Sequence, residues 1–127
     1  MERKHISQVV VCRENDNVLE VCRILRDTQQ RHLIVVNDKD FPVGVISTVD
    51  TNNRVLAEQK DPTKCIAKEI MTKNIKCVDL NDTYEKGFTI MAQHGLTAIP
   101  VVNQEKLIGQ LEFSHAFKLK ELKEAKK

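Results

Sequence analysis

Ser47 and Asp50, in the stretch Gly44-Val45-Ile46-Ser47-Thr48-Val49-Asp50, are the residues whose types and spacing point most directly to chemistry. Val43, Val45 and Ile46 favour strand, and Thr51 onward is compatible with helix, so the stretch reads as a buried strand breaking into the first turn of a helix. The S-x-x-D spacing places both side chains on one side of that helix start. Such a start presents unpaired N–H groups and partial positive charge, which suits a phosphate. Gly44 has no side chain, so a ligand can approach the backbone there. A hydroxyl for a phosphate and a carboxylate for a sugar diol together make a nucleotide grip. The same spacing also reads as a capping box, with Ser47 as N-cap and Asp50 at N3, which needs no ligand at all.

Other chemistry is less well supported. Ser47, His32 and Asp50 are a Ser/His/Asp set, but hydrolysis needs the histidine between the other two. Ser47 and Asp50 are instead neighbours at a helix start, so no catalytic residues are expected. His5, His32, His94, His115 and the four cysteines (Cys12, Cys22, Cys65, Cys77) show no zinc spacing, so no metal site and no obligatory cofactor are expected. Arg54, four residues after Asp50, either pairs with it on the helix surface, where it would compete with a sugar, or points to solvent.

The elements that must position these residues belong to an ordinary globular chain. Its 127 residues are enough to bury most of their apolar surface. Apolar residues make up 41% and charged residues 30%, a balance usual for soluble domains. The net charge of +2 is too small to argue for nucleic acid or a membrane surface. The lysine-rich stretch from Lys118 to Lys127 reads as a solvated helix face. No apolar run is long enough to span a bilayer, and Met1-Glu2-Arg3-Lys4-His5 leads into no signal-like core. The cysteines are not in C-x-x-C pairs and read as reduced core residues, so a cytoplasmic location is expected.

Read in order, Val9 to Cys12 is a short β-rich run, and Asn15-Asp16-Asn17 is a turn offering an N-cap. Val18, Val21, Cys22 and Leu25 then follow the i, i+3, i+4, i+7 pattern of an amphipathic helix that ends at Thr28-Gln29-Gln30. Leu33 to Val36 is a continuous apolar strand. Asn37 to Asp40 turns into the strand Val43–Ser47, and Thr48 to Glu58 is predicted as a second helix. Gln59-Lys60-Asp61-Pro62 reads as a linker. The pattern then begins again: a β-rich run from Ile75 to Val78, and a turn at Asn81-Asp82. A helix follows with Tyr84, Gly87, Phe88 and Met91 on one face and Gly95 at its C-cap. Strands at Ala98–Val102 and Leu107–Leu111 lead to a final helix from Phe113.

The second half repeats the first. A shift of 66 carries Asn15-Asp16 onto Asn81-Asp82, Val18, Val21, Cys22 and Leu25 onto the second helix face, and Val35-Val36-Asn37 onto Val101-Val102-Asn103. One extra residue in the first hairpin turn changes the shift to 65 and carries Gly44 onto Gly109. The expected fold is therefore α+β, two βαββα repeats (1–60 and 61–127). Each half alone is a marginal core, so the two are expected to pack about a pseudo-twofold axis around a shared core, with clefts between their sheets.

Together these features resemble a tandem pair of cystathionine β-synthase (CBS) domains, also called a Bateman module, over about residues 5–120. Ile66-Ala67-Lys68-Glu69-Ile70-Met71-Thr72 is similar to the family's lead-in ending in Met-Thr. Gly95-Leu96-Thr97-Ala98-Ile99-Pro100-Val101-Val102 is similar to its strand ending in Pro-Val. The first half has Ile34 in place of that proline, but its Gly44–Asp50 stretch matches the family's G-h-x-[Ser/Thr]-x-x-Asp ligand motif in full. The resemblance implies a regulatory module, not an enzyme, that binds an adenine nucleotide in a cleft between repeats. Ser47 would approach the phosphate and Asp50 would take the ribose hydroxyls. Arg31, His32, Leu33 and Ile34 would line the base or phosphate side, with Gly44, Val45 and Ile46 completing the site. AMP is the expected ligand; ATP, ADP, an NAD-type ligand and S-adenosylmethionine are the family's alternatives. A homodimer and a separate effector protein are implied in the same way.

The second copy departs from the motif. Glu112 stands where the hydroxyl belongs and His115 where the aspartate belongs. A carboxylate repels phosphate, and a neutral imidazole cannot accept from both ribose hydroxyls. One nucleotide site is therefore expected, not two. Two other functions remain open on the residues alone. One is a ligand-free interaction or scaffold module, in which S-x-x-D is only a cap. The other is a small nucleotide hydrolase.

Overall fold

Asn17 opens helix α1 (Val18–Thr28) by accepting the Glu20 N–H on Oδ1 at 2.9 Å, the bond a short polar side chain is suited to make at an N-cap. Val18, Val21 and Leu25 are buried along one face of the helix, as the sequence periodicity requires. Gln29 ends it in the left-handed conformation, φ 56°. The computed structural model describes residues 1–126. They form two compact units: one is Val9–Ile75, and the other joins Met1–Gln8 to the chain from Lys76 onward.

In the Val9–Ile75 unit, β1 (Val11–Arg13) runs parallel to β2 (His32–Val36), and β3 (Pro42–Ser47) pairs antiparallel with β2. After β3 come helix α2 (Thr48–Thr51), a π-helical turn (Asn52–Leu56) and helix α3 (Ala67–Ile70), and β4 (Thr72–Lys73) then closes the far edge against β3. Leu33, Val35 and Ile46 on the sheet pack with Val18, Val21 and Leu25 of α1 and with Val55, Ala67 and Ile70.

The continuous helix predicted over Thr48–Glu58 is instead four residues of α-helix followed by the π turn. Thr51, Asn52 and Asn53 are weak helix formers. The Ala57 N–H reaches Asn52 O at 2.8 Å, five residues back. The widened turn places Val55 in the core, 4% exposed, and leaves Leu56 in solvent at 73%.

The other unit repeats this order. It contains β5 (Val78–Asp79), helix α4 (Tyr84–His94), β6 (Ala98–Asn103), β7 (Lys106–Glu112) and helix α5 (Phe113–Ala125), preceded by a 3-10 turn at Arg3–His5. Thr83 caps α4 and Gly95 ends it at φ 65°. Val78, Met91, Ile99, Val101, Leu111 and Ala116 form its core. The backbone of Ser7 is bonded both ways to Gln110, at 2.9 and 3.0 Å. The strand pairings reproduce the repeat residue by residue. Cys12 faces Val35 as Val78 faces Val101, and Val35 faces Gly44 as Val101 faces Gly109, with a register break after the valine each time. The fold is α+β, with one sheet per unit. Among the described residues no helix is long and apolar enough to cross a membrane.

Candidate binding site at the first strand-to-helix junction

The β2–β3 register sorts the candidate residues between two faces. His32 pairs with Ser47, Leu33 with Ile46, Ile34 with Val45 and Val35 with Gly44. Successive side chains alternate across a strand, so His32, Ile34, Val45 and Ser47 share one face. Leu33 and Ile46, both fully buried in the core cluster, point the other way and offer a ligand only their main chain. Arg31 is exposed just before β2, and its carbonyl accepts the Thr48 N–H at 2.9 Å, tying the start of β2 to the start of α2.

Gly44 lies on the core side. A Cβ there would collide with the Met71 side chain and stand 2.9 Å from the Thr72 carbonyl oxygen. The close approach that glycine permits is therefore made by the lead-in to β4.

Ser47 and Asp50 form a complete capping box. The Ser47 N–H donates to Asp50 Oδ2 at 2.9 Å, and the Asp50 N–H donates to Ser47 Oγ at 3.2 Å. Arg54 Nε lies 3.7 Å from Asp50 Oδ1, while its Nη1 donates to the Ile70 carbonyl at 2.8 Å. Of the two placements the spacing allows, Arg54 thus takes the one beside Asp50. At 3.7 Å the contact is an ion pair and not a good hydrogen bond.

The box leaves chemistry unused. Ser47 Oγ spends a lone pair on the Asp50 N–H, so its own O–H remains a donor. A carboxylate offers about four lone-pair sites, and the Ser47 N–H occupies one of them. Cap and ligand grip are therefore compatible, and the cap fixes both side chains. Asp50 bonds the Ser47 backbone, not His32, so no proton relay of the triad kind is assembled.

At the equivalent junction in the other unit, Glu112 occupies the N-cap of α5 without a side-chain cap bond. Glu112 Oε1 instead accepts from Ser7 Oγ at 3.3 Å. His115 Nε2 and His5 Nδ1 are buried without hydrogen-bond partners. Burial holds the His5 imidazole below its ordinary value, opposed by the Glu2 carboxylate and reinforced by His115. The sequence reading missed this pair, because two residues 110 positions apart carry no spacing signal.

The CBS-domain family model matches this chain twice, over residues 4–52 and 67–119. A relative in Methanopyrus kandleri, itself an uncharacterized protein, is 26% identical over 102 residues, 80% of this chain and 52% of that protein. The chain thus spans about half the length of that relative. Two solved structures are similar in fold. A crystal structure of hypoxic response protein I with two coordinated zinc ions superposes with TM-score 0.80 at 21% identity, covering 91% of this chain and 95% of that one. A hexameric CBS-CP12 protein from bloom-forming cyanobacteria gives TM-score 0.68 at 25% identity, covering 90% and 67%.

Proposed function

Because the chain belongs to the CBS-domain family and carries two copies of the domain, we propose that its Val9–Ile75 unit is an adenine-nucleotide sensor, with AMP as ligand. CBS domains are typically regulatory and not catalytic. One observation carries the reading: the family's complete ligand motif stands at a junction whose cap leaves the Ser47 hydroxyl hydrogen free, with Arg54 the neighbour a ribose would displace from Asp50 Oδ1. Ser47 donates to a phosphate oxygen, and Asp50 accepts from the ribose hydroxyls. The main chain of Arg31 to Ile34 flanks the base, and Val45 supplies apolar contact on the same face beside the buried Ile34. Ligand binding shifts the population of chain conformations, and an effector protein reads the shift. Thermal unfolding with AMP, ATP, ADP, NAD and S-adenosylmethionine tests this. Stabilisation by one of them names the signal, and no shift with any removes the reading.

Val49, Leu56, Phe117 and Leu122 are 44–73% exposed on the helical segments after β3 and β7. These apolar side chains favour association through helices, and we propose a homodimer. Sedimentation equilibrium showing only monomer at high micromolar concentration overturns it. They also keep a second reading in play, a protein-interaction module whose S-x-x-D is only a cap, and that reading takes over if no nucleotide binds.

A further inference from the structure

The junction at the start of α5 has lost the chemistry of a nucleotide grip and gained another. β7 repeats β3 at a shift of 65, since Ile46 faces Leu33 as Leu111 faces Ile99. Glu112 and His115 therefore stand where Ser47 and Asp50 stand. A carboxylate and an imidazole three residues apart at a helix start are poor partners for phosphate and good ones for a divalent cation. A second imidazole, His5, is brought beside His115 by the 3-10 turn at Arg3–His5, with ring centroids 5.7 Å apart and planes inclined at 52°.

Two further observations point to a ligand. His5 Nδ1 and His115 Nε2 are both buried and lack any hydrogen-bond partner, although native proteins pair nearly all such atoms. Both rings also border one cavity of about 170 Å³, together with Lys4, Ile6, Ser7 and Glu112, so water reaches the edge of the pair although the two nitrogens themselves are closed off. That volume is below the roughly 300–1,000 Å³ of small-molecule sites. It has room for the water that would complete an ion's coordination, each water needing about 30 Å³. The Lys4 ammonium lies 3.0 Å from the Glu2 carboxylate, a partner that offsets its charge.

We propose that His5 Nδ1 and His115 Nε2 bind one divalent transition-metal ion of the Zn2+ class, with Glu112 as third ligand and water in the fourth position. A Zn–N bond of about 2.0–2.1 Å puts the ion about 3.2 Å from each ring centre, so two rings at the tetrahedral angle stand about 5.2 Å apart. The observed separation is 5.7 Å, and small side-chain rotations close the difference. Among the described residues no three His, Cys, Asp or Glu side chains already form a cage. Glu112 joins by releasing its 3.3 Å contact with Ser7 Oγ. The bound ion fastens the N-terminal segment to the first turn of α5.

The full chain, stripped with chelator and titrated with ZnCl2, tests this by calorimetry and by NMR of the imidazole nitrogens. The expected result is saturation at one ion per chain, with the His5 and His115 ring signals moving together and those of His32 and His94 unchanged. His5→Gln and His115→Gln should each weaken binding at least about tenfold, Glu112→Gln should weaken it less, and His94→Gln should leave it unchanged. The NMR result on the unaltered chain stands even if a variant folds poorly. Absence of saturable binding overturns the proposal. So does binding that moves only one of the two rings, or that survives the His5→Gln/His115→Gln double variant.

Discussion

Asp50 has a structural bond and a proposed ligand bond, and two substitutions separate them. Asp50→Ala removes the acceptor of the Ser47 N–H, a 2.9 Å bond, and the ion pair to a half-exposed Arg54. Loss of such a cap costs about 1 kcal/mol, and the long 3.7 Å ion pair, half-exposed on its Arg54 side, adds a few tenths. For a chain of 127 residues that lowers Tm by about 3–6 °C without any ligand. Asp50→Asn keeps an amide oxygen for the Ser47 N–H, so its stability should stay within about 0.5 kcal/mol of the parent. It loses the charge and one of the two oxygens offered to a ribose diol, which should weaken AMP about thirtyfold, or 2 kcal/mol. With AMP at 100 times the parent dissociation constant, the parent gains about 2.7 kcal/mol and Asp50→Asn about 0.9 kcal/mol. Differential scanning fluorimetry with and without AMP reads both numbers. An AMP shift in Asp50→Asn equal to that of the parent would refute the reasoning and leave Asp50 as a cap alone.

Three further outcomes follow from contacts in the same unit. Arg54→Ala frees Asp50 Oδ1 and deprives the Ile70 carbonyl of its 2.8 Å donor; AMP affinity should rise up to about fivefold while stability falls by about 1 kcal/mol, measured by calorimetry and urea unfolding. Gly44→Ala drives a Cβ into Met71 and the Thr72 carbonyl and should cost about 1–3 kcal/mol in urea unfolding, with the companion Met71→Ala recovering part of it. Burial, with Asp16 adding, pushes the Cys12 thiol up to about 12 from 9.0. The folded state therefore holds that proton where the unfolded state releases it, and stability should fall as pH rises from about 9 toward 12. Cys12→Val should show a shallower fall over that range, and in the parent at pH 8 Cys12 should resist alkylation until the chain unfolds.

Much of the fold was legible because the repeat is written twice. The 66-residue shift that aligned Val35 with Val101 reappears in the strand pairings, where Cys12 faces the one as Val78 faces the other, and its change to 65 falls in the hairpin turns. Asn17 and Gly95 announced the ends of α1 and α4 through the backbone needs of helix termini. The β-rich runs from Val9 and Ile75 are longer than the strands they announce, Val11–Arg13 and Val78–Asp79, although Val10 O still accepts the Ile34 N–H at 2.9 Å. The π turn escaped because it answers to the need to bury Val55, a tertiary demand invisible in a run of Thr and Asn. Short partners such as Thr72–Lys73 on β3 and Ser7 on β7 leave no periodicity to read. At the candidate site, Ser47 and Asp50 were legible by type and spacing, and the pair of Asp50 with Arg54 was one of two placements a four-residue helical step allowed. The role of Gly44 was not, because Met71 fills the space beside it from 27 residues away. His5 and His115 were hidden for the same reason, since only the fold makes them neighbours.

The most direct test of the nucleotide reading is the stoichiometry of AMP binding by isothermal calorimetry on the full chain. Intact Ser47 and Asp50 at one junction, with Glu112 and His115 at the other, predict one AMP per chain, abolished or greatly weakened in Asp50→Asn. Two AMP per chain, or no binding heat at any AMP concentration that saturates a micromolar site, would contradict it.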